Sequence, residues 1–572
     1  FCLSETIIFH NTNKNTNIYR VKSPRCWDVE HPHLYILKTE LWKDGEIIQE
    51  EYSQIGFRSI AFDPEQGFLL NGRKVKLNGV CEHHDLGALG ATCYDKAIER
   101  MMLQLKSFGY NCIRCSHNPY SDSFARIADR VGILVVDELT DKWSDNDYWG
   151  GRQPFTHIWH KLITEWIKRD RNRPSIILWS LGNELQIREG WAGFEGTNDW
   201  GITTYNIFNQ LVKRWDHTRL TTVAMFPARA GAITRHDKEF NDYLVPPELA
   251  CATEVASFNY QSDKYDAYLK YRPDLILFQS EAETSNLLQP YYNMDKERMV
   301  GIAYWGSVEY WGESNKWPKK GWNYSFFEHT MRPYPQAYLI KTAFMPEIPE
   351  VHIGVVDAAG AESVSWNDVI VGRMALNECW NHTPGSRRSL FTFTNAHSVE
   401  LLVNGQSMGI QKNDTTRANL RNMIYWKDVP YGNGGSVVAI ARDKSGKEVA
   451  RHRIETAGKA VALRIEAETP TDWKADGMDL QYINVTVIDK KGRPVWDYNE
   501  PLTLQMEGAA RLVALDNGDH YTDELFHGIT SKRMYQGRMQ IILRSDQEAG
   551  NVTVKISSAG LKGTLRLKTI KE

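Results

Sequence analysis

From about residue 63 to 345, short apolar runs alternate with segments of helical apolar spacing. The clearest run is Ser175-Ile176-Ile177-Leu178-Trp179-Ser180-Leu181, bounded by Pro174 and Gly182. It is nearly continuous, too short for a typical helix, and reads as a strand buried on both faces. Similar runs predict strands at about 75–80, 110–115, 133–136, 220–225, 255–259, 275–278 and 300–304. Between them the spacing predicts helices over 94–108, where Ile98, Met101, Met102 and Leu105 share a face, and over 123–131, 156–169 and 205–215. The stretch 226–251 carries no clean helical period and reads as a long irregular crossover. Eight strands separated by mostly helical segments predict a (β/α)8 TIM barrel.

The flanks follow period two instead. Residues 1–62 read as strands around a hairpin turn at Lys43-Asp44-Gly45-Glu46. After about 346, short alternating strands are punctuated by Asn404-Gly405, Asn433-Gly434-Gly435, Lys444-Ser445-Gly446 and Lys490-Lys491-Gly492. Strands of that length and spacing predict immunoglobulin-like β-sandwiches. Thr456-Ala457-Gly458-Lys459 reads as a linker. The expected organisation is a sandwich over 1–62, all or part of one, the barrel over 63–345, and two further sandwiches over 346–458 and 459–572.

Composition narrows the function. A chain of 572 residues exceeds a single core. A formal net charge of −3 argues against a nucleic-acid partner, and no apolar run reaches membrane-spanning length. Aromatic residues make up 11% of the chain, which suits sandwich cores or sugar-stacking surfaces. Cys112 and Cys115 form a Cys-x-x-Cys inside a strand with no second pair, so neither a metal nor a redox role is expected there. The segment opens at Phe1 within a β-rich pattern, with no initiator Met and no signal-like region, and upstream sequence is expected.

Polar and aromatic side chains gather where the predicted barrel strands end. They are Arg114 and His117 after strand two, Glu138 after strand three, Asn183 and Glu184 after strand four, Asn259 and Tyr260 after strand six, Glu281 after strand seven, and Trp305 with Glu309 after strand eight. Active sites of barrels form at those ends. Glycoside hydrolysis needs two carboxyl groups there, one protonated to assist the leaving oxygen and one ionised to attack or to activate water. Glu184 and Glu281 are the expected pair. Arg114 is expected to keep Glu281 ionised through its positive charge.

Gly79-Val80-Cys81-Glu82-His83-His84-Asp85-Leu86-Gly87, the segment 111–119, Asp137-Glu138, Arg169-Asp170-Arg171-Asn172-Arg173-Pro174 and Trp179-Ser180-Leu181-Gly182-Asn183-Glu184 resemble glycoside hydrolase family 2, and within it bacterial β-galactosidases most. Pro32-His33-Leu34-Tyr35 through Gly56-Phe57-Arg58 is similar to the family's linker sandwich, and Leu515-Asp516-Asn517-Gly518-Asp519 to its C-terminal sandwiches. The family's jelly-roll sugar-binding domain has no counterpart ahead of the linker.

The resemblance implies that Glu184 is the acid/base and that Asn183 holds the sugar 2-hydroxyl. It implies that Glu281 is the nucleophile, with Glu283 a rival two residues on. Tyr260 would lie beside the nucleophile and His117 would approach the sugar hydroxyls. Asp85, Arg114, Glu138 and Trp305 complete the expected substrate-binding set. Some relatives bind magnesium shortly after strand three; Thr140-Asp141-Lys142-Trp143 lacks the acidic and histidine pair, so no metal and no cofactor are expected. His83-His84-Asp85 is read as sugar or loop contacts, because adjacent strand residues point to opposite faces. After strand eight the family's usual segment is replaced by Phe326-Phe327-Glu328-His329-Thr330-Met331-Arg332-Pro333, which bears on sugar identity.

The expected function is a retaining exo-acting hydrolase of terminal β-D-galactosides. The alternatives are a β-glucuronidase of the same family, for which Asn315, Lys316, Lys319 or Lys320 would supply the cation, and a non-catalytic glycan-binding protein. The expected partner is a carbohydrate, with no nucleic acid and no membrane. A homo-oligomer and a periplasmic or secreted bacterial location are compatible with this reading.

Overall fold

A computed structural model describes residues 21–143, 155–185, 201–226, 246–314, 316–357, 362–366 and 369–571. Ahead of the barrel, strands β1 (Tyr35–Lys43) and β2 (Glu46–Ile55) pair antiparallel. Their turn places Asp44 at φ 52° and Gly45 at φ 87°, the left-handed pair that a two-residue hairpin requires.

Eight parallel strands close the barrel: β3 (Leu77–Glu82), β4 (Cys112–Cys115), β5 (Leu134–Glu138), β6 (Ile176–Asn183), β7 (Leu220–Met225), β8 (Val255–Asn259), β9 (Leu277–Ala282) and β10 (Gly301–Trp305). Closure runs from β10 to β3, with Gly301 opposite Leu77 and Trp305 opposite Cys81. All eight residues of β6 are buried, which accounts for its apolar run. The outer helices include α1 (Asp95–Ser107), α2 (Asp122–Val131), α3 (Phe155–Asp170), α4 (Ile202–Trp215), α5 (Glu248–Ala252), α6 (Tyr265–Tyr271) and α7 (Pro335–Phe344). Helix α2 starts at Ser121, whose hydroxyl accepts from Phe124 N at 3.2 Å. It stops at Gly132, at φ 79°, where a Cβ would lie 2.5 Å from the Val29 carbonyl oxygen. The crossover expected over 226–251 lies largely outside the described residues; α5 is its described end.

The segment before the barrel is bound to it. Trp27 is fully buried, and its indole N–H donates to Asp129 O at 2.7 Å. Arg58 donates to Pro174 O and Ile176 O at 2.7 and 2.8 Å, at the base of β6.

Past α7 the chain forms paired four-stranded sheets. One pair encloses Ile353, Trp380, Leu390, Leu401 and Val437; the second encloses Trp473, Ile483, Leu504, Ile541 and Val554. The segment expected to be a linker is firmly tied: Asn381 exchanges two hydrogen bonds with the Ala457 backbone, and Gly458 N donates to Asp489 Oδ2. The last sandwich also packs on the barrel. Leu480, Tyr482, Ala514 and Ile542 meet Ala88, Leu89 and Ala97, and Arg100 pairs with Glu468 at 2.7 Å. Among the described residues no helix is long and apolar enough to cross a membrane.

Candidate active site

The strand ends converge on Arg114. This side chain on β4 is fully buried, and a buried guanidinium is stable only when its donors are engaged. Nη1 donates to Glu281 Oε1 at 2.7 Å. Nε and Nη2 donate to Glu138 Oε2 at 3.0 and 2.7 Å, and Nη2 also reaches Asn183 Oδ1 at 2.9 Å. One planar fork therefore fixes side chains from β5, β6 and β9.

His117 completes the floor. Its Nδ1 lies 2.6 Å from Glu138 Oε1, while its Nε2 faces Glu281 at 4.0 Å and Asn183 Nδ2 at 3.3 Å. Trp305 stacks on His117, with ring centroids 5.3 Å apart and planes 11° from parallel. Glu184, at φ 48° just past β6, receives a hydrogen bond from Asn259 Nδ2 at 3.1 Å. Asn259 Nδ2 also donates to Asn183 Oδ1 at 3.0 Å, and Ser280 Oγ donates to Asn259 Oδ1 at 2.7 Å. The two expected catalytic carboxyls thus sit at ends of strands held in one hydrogen-bonded set.

Electrostatics separate their neighbours. Burial works to raise Glu138, but Arg114 and His117 outweigh it and hold the carboxyl below its usual range. Burial works to lower His117, but Glu138 outweighs it and raises the imidazole. Burial raises Glu281; Arg114 pulls it down, and the charge of Glu184 pushes it up again. Arg114 therefore acts on Glu281 as its position in the sequence suggests, yet burial outweighs it. Tyr260 hydrogen-bonds Glu281, and its phenol is pushed up by burial and by the charges of Glu281 and Glu184.

As pH falls, Glu281 takes up a proton at a value above the ~4.3 of an unperturbed glutamate, and a nucleophile at this position would then be unable to attack. The acid limb of kcat/KM, which reports the free enzyme, is expected above that value. A limb at or below it would contradict the balance just described.

Three expected substrate contacts are placed differently. Glu138 is fully buried, and both oxygens are engaged by Arg114, His117 and Ser180. It positions Arg114 and His117 rather than facing a sugar. Arg114 is likewise committed to protein partners beneath the site. Asp85 accepts from Gly87 N at 2.8 Å and Trp311 N at 3.0 Å, so it braces the loop after β10 and does not join the Arg114 cluster. His83 and His84 lie just past the end of β3 rather than on it, and they diverge: His83 packs against Trp305 and Tyr310, and His84 stacks on Tyr120. Glu283 lies past the end of β9, within electrostatic reach of Tyr304. Cys112 and Cys115 are both buried free thiols.

Residues missed in the sequence also take part. Asp141 Oδ1 accepts from Asn183 Nδ2 at 3.0 Å and from Lys142 Nζ at 2.6 Å; that ammonium also donates to Asn183 O at 3.0 Å. The chain thus places its own cation beside Asp141. Glu313 accepts a hydrogen bond from Tyr310 OH, stays partly exposed, and lies within electrostatic reach of His117, Asp141 and Glu184. Asn259 was legible as a strand end. Glu313 sits on an irregular return eight residues past Trp305, where no periodicity marks it.

Two carboxyls at the C-terminal ends of barrel strands, one beside a buried arginine and a tyrosine, are the groups that glycoside hydrolysis requires. The chain belongs to glycoside hydrolase family 2. Residues 64–299 match the family model described as Glycosyl hydrolases family 2, TIM barrel domain. Residues 3–58 match Glycosyl hydrolases family 2, and 463–565 match Glycoside hydrolase family 2 C-terminal domain 5. Residues 385–450 match a domain of unknown function.

The chain is 28% identical to the β-galactosidase BoGH2A of Bacteroides ovatus, over 95% of this chain and 67% of that protein. It is 46% identical to a putative β-glucuronidase of Formosa agariphila, over 96% of this chain but only 54% of that protein, so it spans about half of that relative. A solved family 2 member from Bacteroides cellulosilyticus superposes with a TM-score of 0.80 at 30% identity, over 96% of this chain and 69% of that one.

Proposed function

We propose that this glycoside hydrolase is a retaining, exo-acting β-galactosidase that works by double displacement. The observation that carries the mechanism is the placement of Glu281 on Arg114 and Tyr260, with Glu184 held separately by Asn259. In the first step a Glu281 oxygen bonds to the anomeric carbon as the glycosidic bond breaks. Glu184 delivers its proton to the departing oxygen. In the second step Glu184 takes a proton from water, whose oxygen displaces Glu281 and restores the β configuration. A retaining enzyme needs the two carboxyls about 5–5.5 Å apart, and an inverting one roughly 6.5–9.5 Å. The retaining reading expects Glu184 after β6 and Glu281 on β9 to face each other at the shorter span. Asn183, next to Glu184 in the chain, and His117, whose Nε2 lies 3.3 Å from Asn183 Nδ2 and 4.0 Å from Glu281, are assigned to sugar hydroxyls. Trp305 forms the apolar wall beneath.

Glu313 favours a neutral sugar. Burial raises its carboxyl, but whenever it is ionised this partly exposed acid, within electrostatic reach of His117 and Glu184, disfavours a sugar that carries its own carboxylate. The second reading, β-glucuronidase, needs a cation for the sugar carboxylate; of the lysines considered for it, Lys319 is 2% exposed with its ammonium 4.0 Å from the Tyr324 ring. The name of the Formosa agariphila relative points the same way.

A panel of nitrophenyl β-galactoside, β-glucuronide and β-mannoside separates these readings from each other and from a non-catalytic binder. The galactoside is expected to be hydrolysed fastest; a faster glucuronide would replace the sugar assignment, and no turnover of any would remove the mechanism. On the preferred glycoside, Glu184→Gln is expected to lose most activity with poor leaving groups and least with dinitrophenol, because an activated aryl leaving group needs little protonation. An equal loss on both would show that Glu184 is not the acid.

A further inference from the structure

Outside the catalytic cluster, one buried polar connection joins the barrel mouth to the last sandwich. Glu309 follows β10, His329 lies on the return toward α7, and Asp516 and His520 belong to the last sandwich. Their side chains are 1%, 0%, 1% and 3% exposed. His329 Nδ1 lies 3.1 Å from Glu309 Oε2, and His520 Nε2 lies 3.8 Å from the same oxygen. The ligand atoms of Glu309, His329 and His520 all lie within 4.8 Å of one another.

We propose that Glu309 Oε2, His329 Nδ1 and His520 Nε2 bind a divalent cation of the zinc type, which clamps the last sandwich to the barrel mouth. Two imidazoles and a carboxylate are a donor set that suits zinc, and full burial suits a structural site. The 3.1 Å separation of His329 and Glu309 approaches the edge of about 3.3 Å that zinc–ligand bonds of about 2.0 Å would give in a tetrahedron. His520 needs only a small approach to join them.

The surroundings fit the same ion. His329 lies between two acids, Nε2 2.9 Å from Asp516 Oδ1 and Nδ1 3.1 Å from Glu309 Oε2; burial is outweighed by both carboxylates, which raise the imidazole well above its usual range, so a cation at Nδ1 takes the place of a proton. Coordination releases the Nδ1 proton, when present, to solvent. Tyr334 OH donates to Glu309 Oε1 at 2.7 Å and leaves Oε2 turned inward. A cavity of about 20 Å³ bordered by Asp85, Glu309, His329 and Asp516, though not by His520, adjoins the group and has room for one water. Asp85 and Glu328 add acidic groups within electrostatic reach, with Arg332 and Lys532 as the outer cations.

A second trio, His352, Glu378 and His452, does not meet the same requirement. His452 Nδ1 accepts from Ile353 N at 3.0 Å, so the neutral ring carries its proton on Nε2, the nitrogen that faces Glu378.

The test is zinc stoichiometry after chelation and reloading. The purified chain, stripped and returned to zinc chloride, is expected to retain one zinc through gel filtration and to unfold at a higher temperature than the stripped form. His520→Ala and Glu309→Gln should weaken zinc binding at least about tenfold, and Asp516→Asn by about 10–100-fold through the histidine it orients. His452→Ala should bind as the parent does. If His520→Ala does not fold, His520→Gln supplies the same reading. Failure of the parent to retain zinc, undiminished binding in the His520 variant, or loss in His452→Ala alone would each overturn the site. None of these readings depends on which sugar is cleaved.

Discussion

Glu281→Ala is expected to lower kcat by about 10⁵–10⁶-fold, the scale at which removal of a covalent nucleophile leaves only binding and field effects. Alanine removes the attacking oxygens and opens a small space next to Arg114, whose Nη1 then lacks its partner at 2.7 Å. Azide, small and anionic, is suited to that space. It should restore turnover of an activated aryl glycoside and yield the α-glycosyl azide, because a single displacement inverts the anomeric carbon. Glu184→Ala should also respond to azide, but with the β-glycosyl azide, because there the azide attacks an intermediate still borne by Glu281. Rates and product NMR check both variants together. Rescue of Glu281→Ala to the β-azide would exchange the two roles.

Arg114→Met is expected to damage stability and activity at once. The native side chain, fully buried, serves Glu138, Glu281 and Asn183. Methionine fills much of the volume but strands two buried carboxylates, a loss of about 3–5 kcal/mol when one partner of a buried pair is removed. Glu281 should then be harder to ionise and Asn183 less well fixed. The expected fall in kcat is about 10²–10³-fold, the scale for one removed electrostatic donor, with an acid limb moved to higher pH. Arg114→Lys should recover little, since a single ammonium cannot replace three engaged donors of a planar fork. Urea-unfolding midpoints and pH–rate profiles measure the two effects. A variant as stable as the parent would mean that the guanidinium does not organise the strand ends.

The barrel was legible because its strands are buried on both faces. A run such as Ile176–Leu181 is apolar but for Ser180, whose hydroxyl meets Glu138, and Asn183 and Glu184 mark its end at the mouth. The same logic exposed Arg114, His117, Tyr260 and Glu281. It could not rank them by depth. Glu138 ends a strand just as Glu281 does, yet it lies sealed beneath His117 and Arg114. Asp85 lies beyond its strand in a loop, and its two backbone partners, Gly87 and Trp311, come from different parts of the chain. Glu313, Lys142 and the Glu309–His329–His520 group depend on irregular returns and on contact between barrel and sandwich. Neither leaves a period in the sequence.

In the proposed mechanism Glu281 forms a covalent glycosyl-enzyme. Incubation with a 2-deoxy-2-fluoro-β-galactosyl donor bearing a good leaving group tests it most directly, because fluorine slows breakdown of the intermediate more than the leaving group slows its formation. The expected result is one adduct per chain by intact mass, with peptide mapping placing it on Glu281. An adduct on Glu283 would move the nucleophile two residues along the chain. Turnover of the parent galactoside with an α-configured first product, and no adduct, would contradict the mechanism itself.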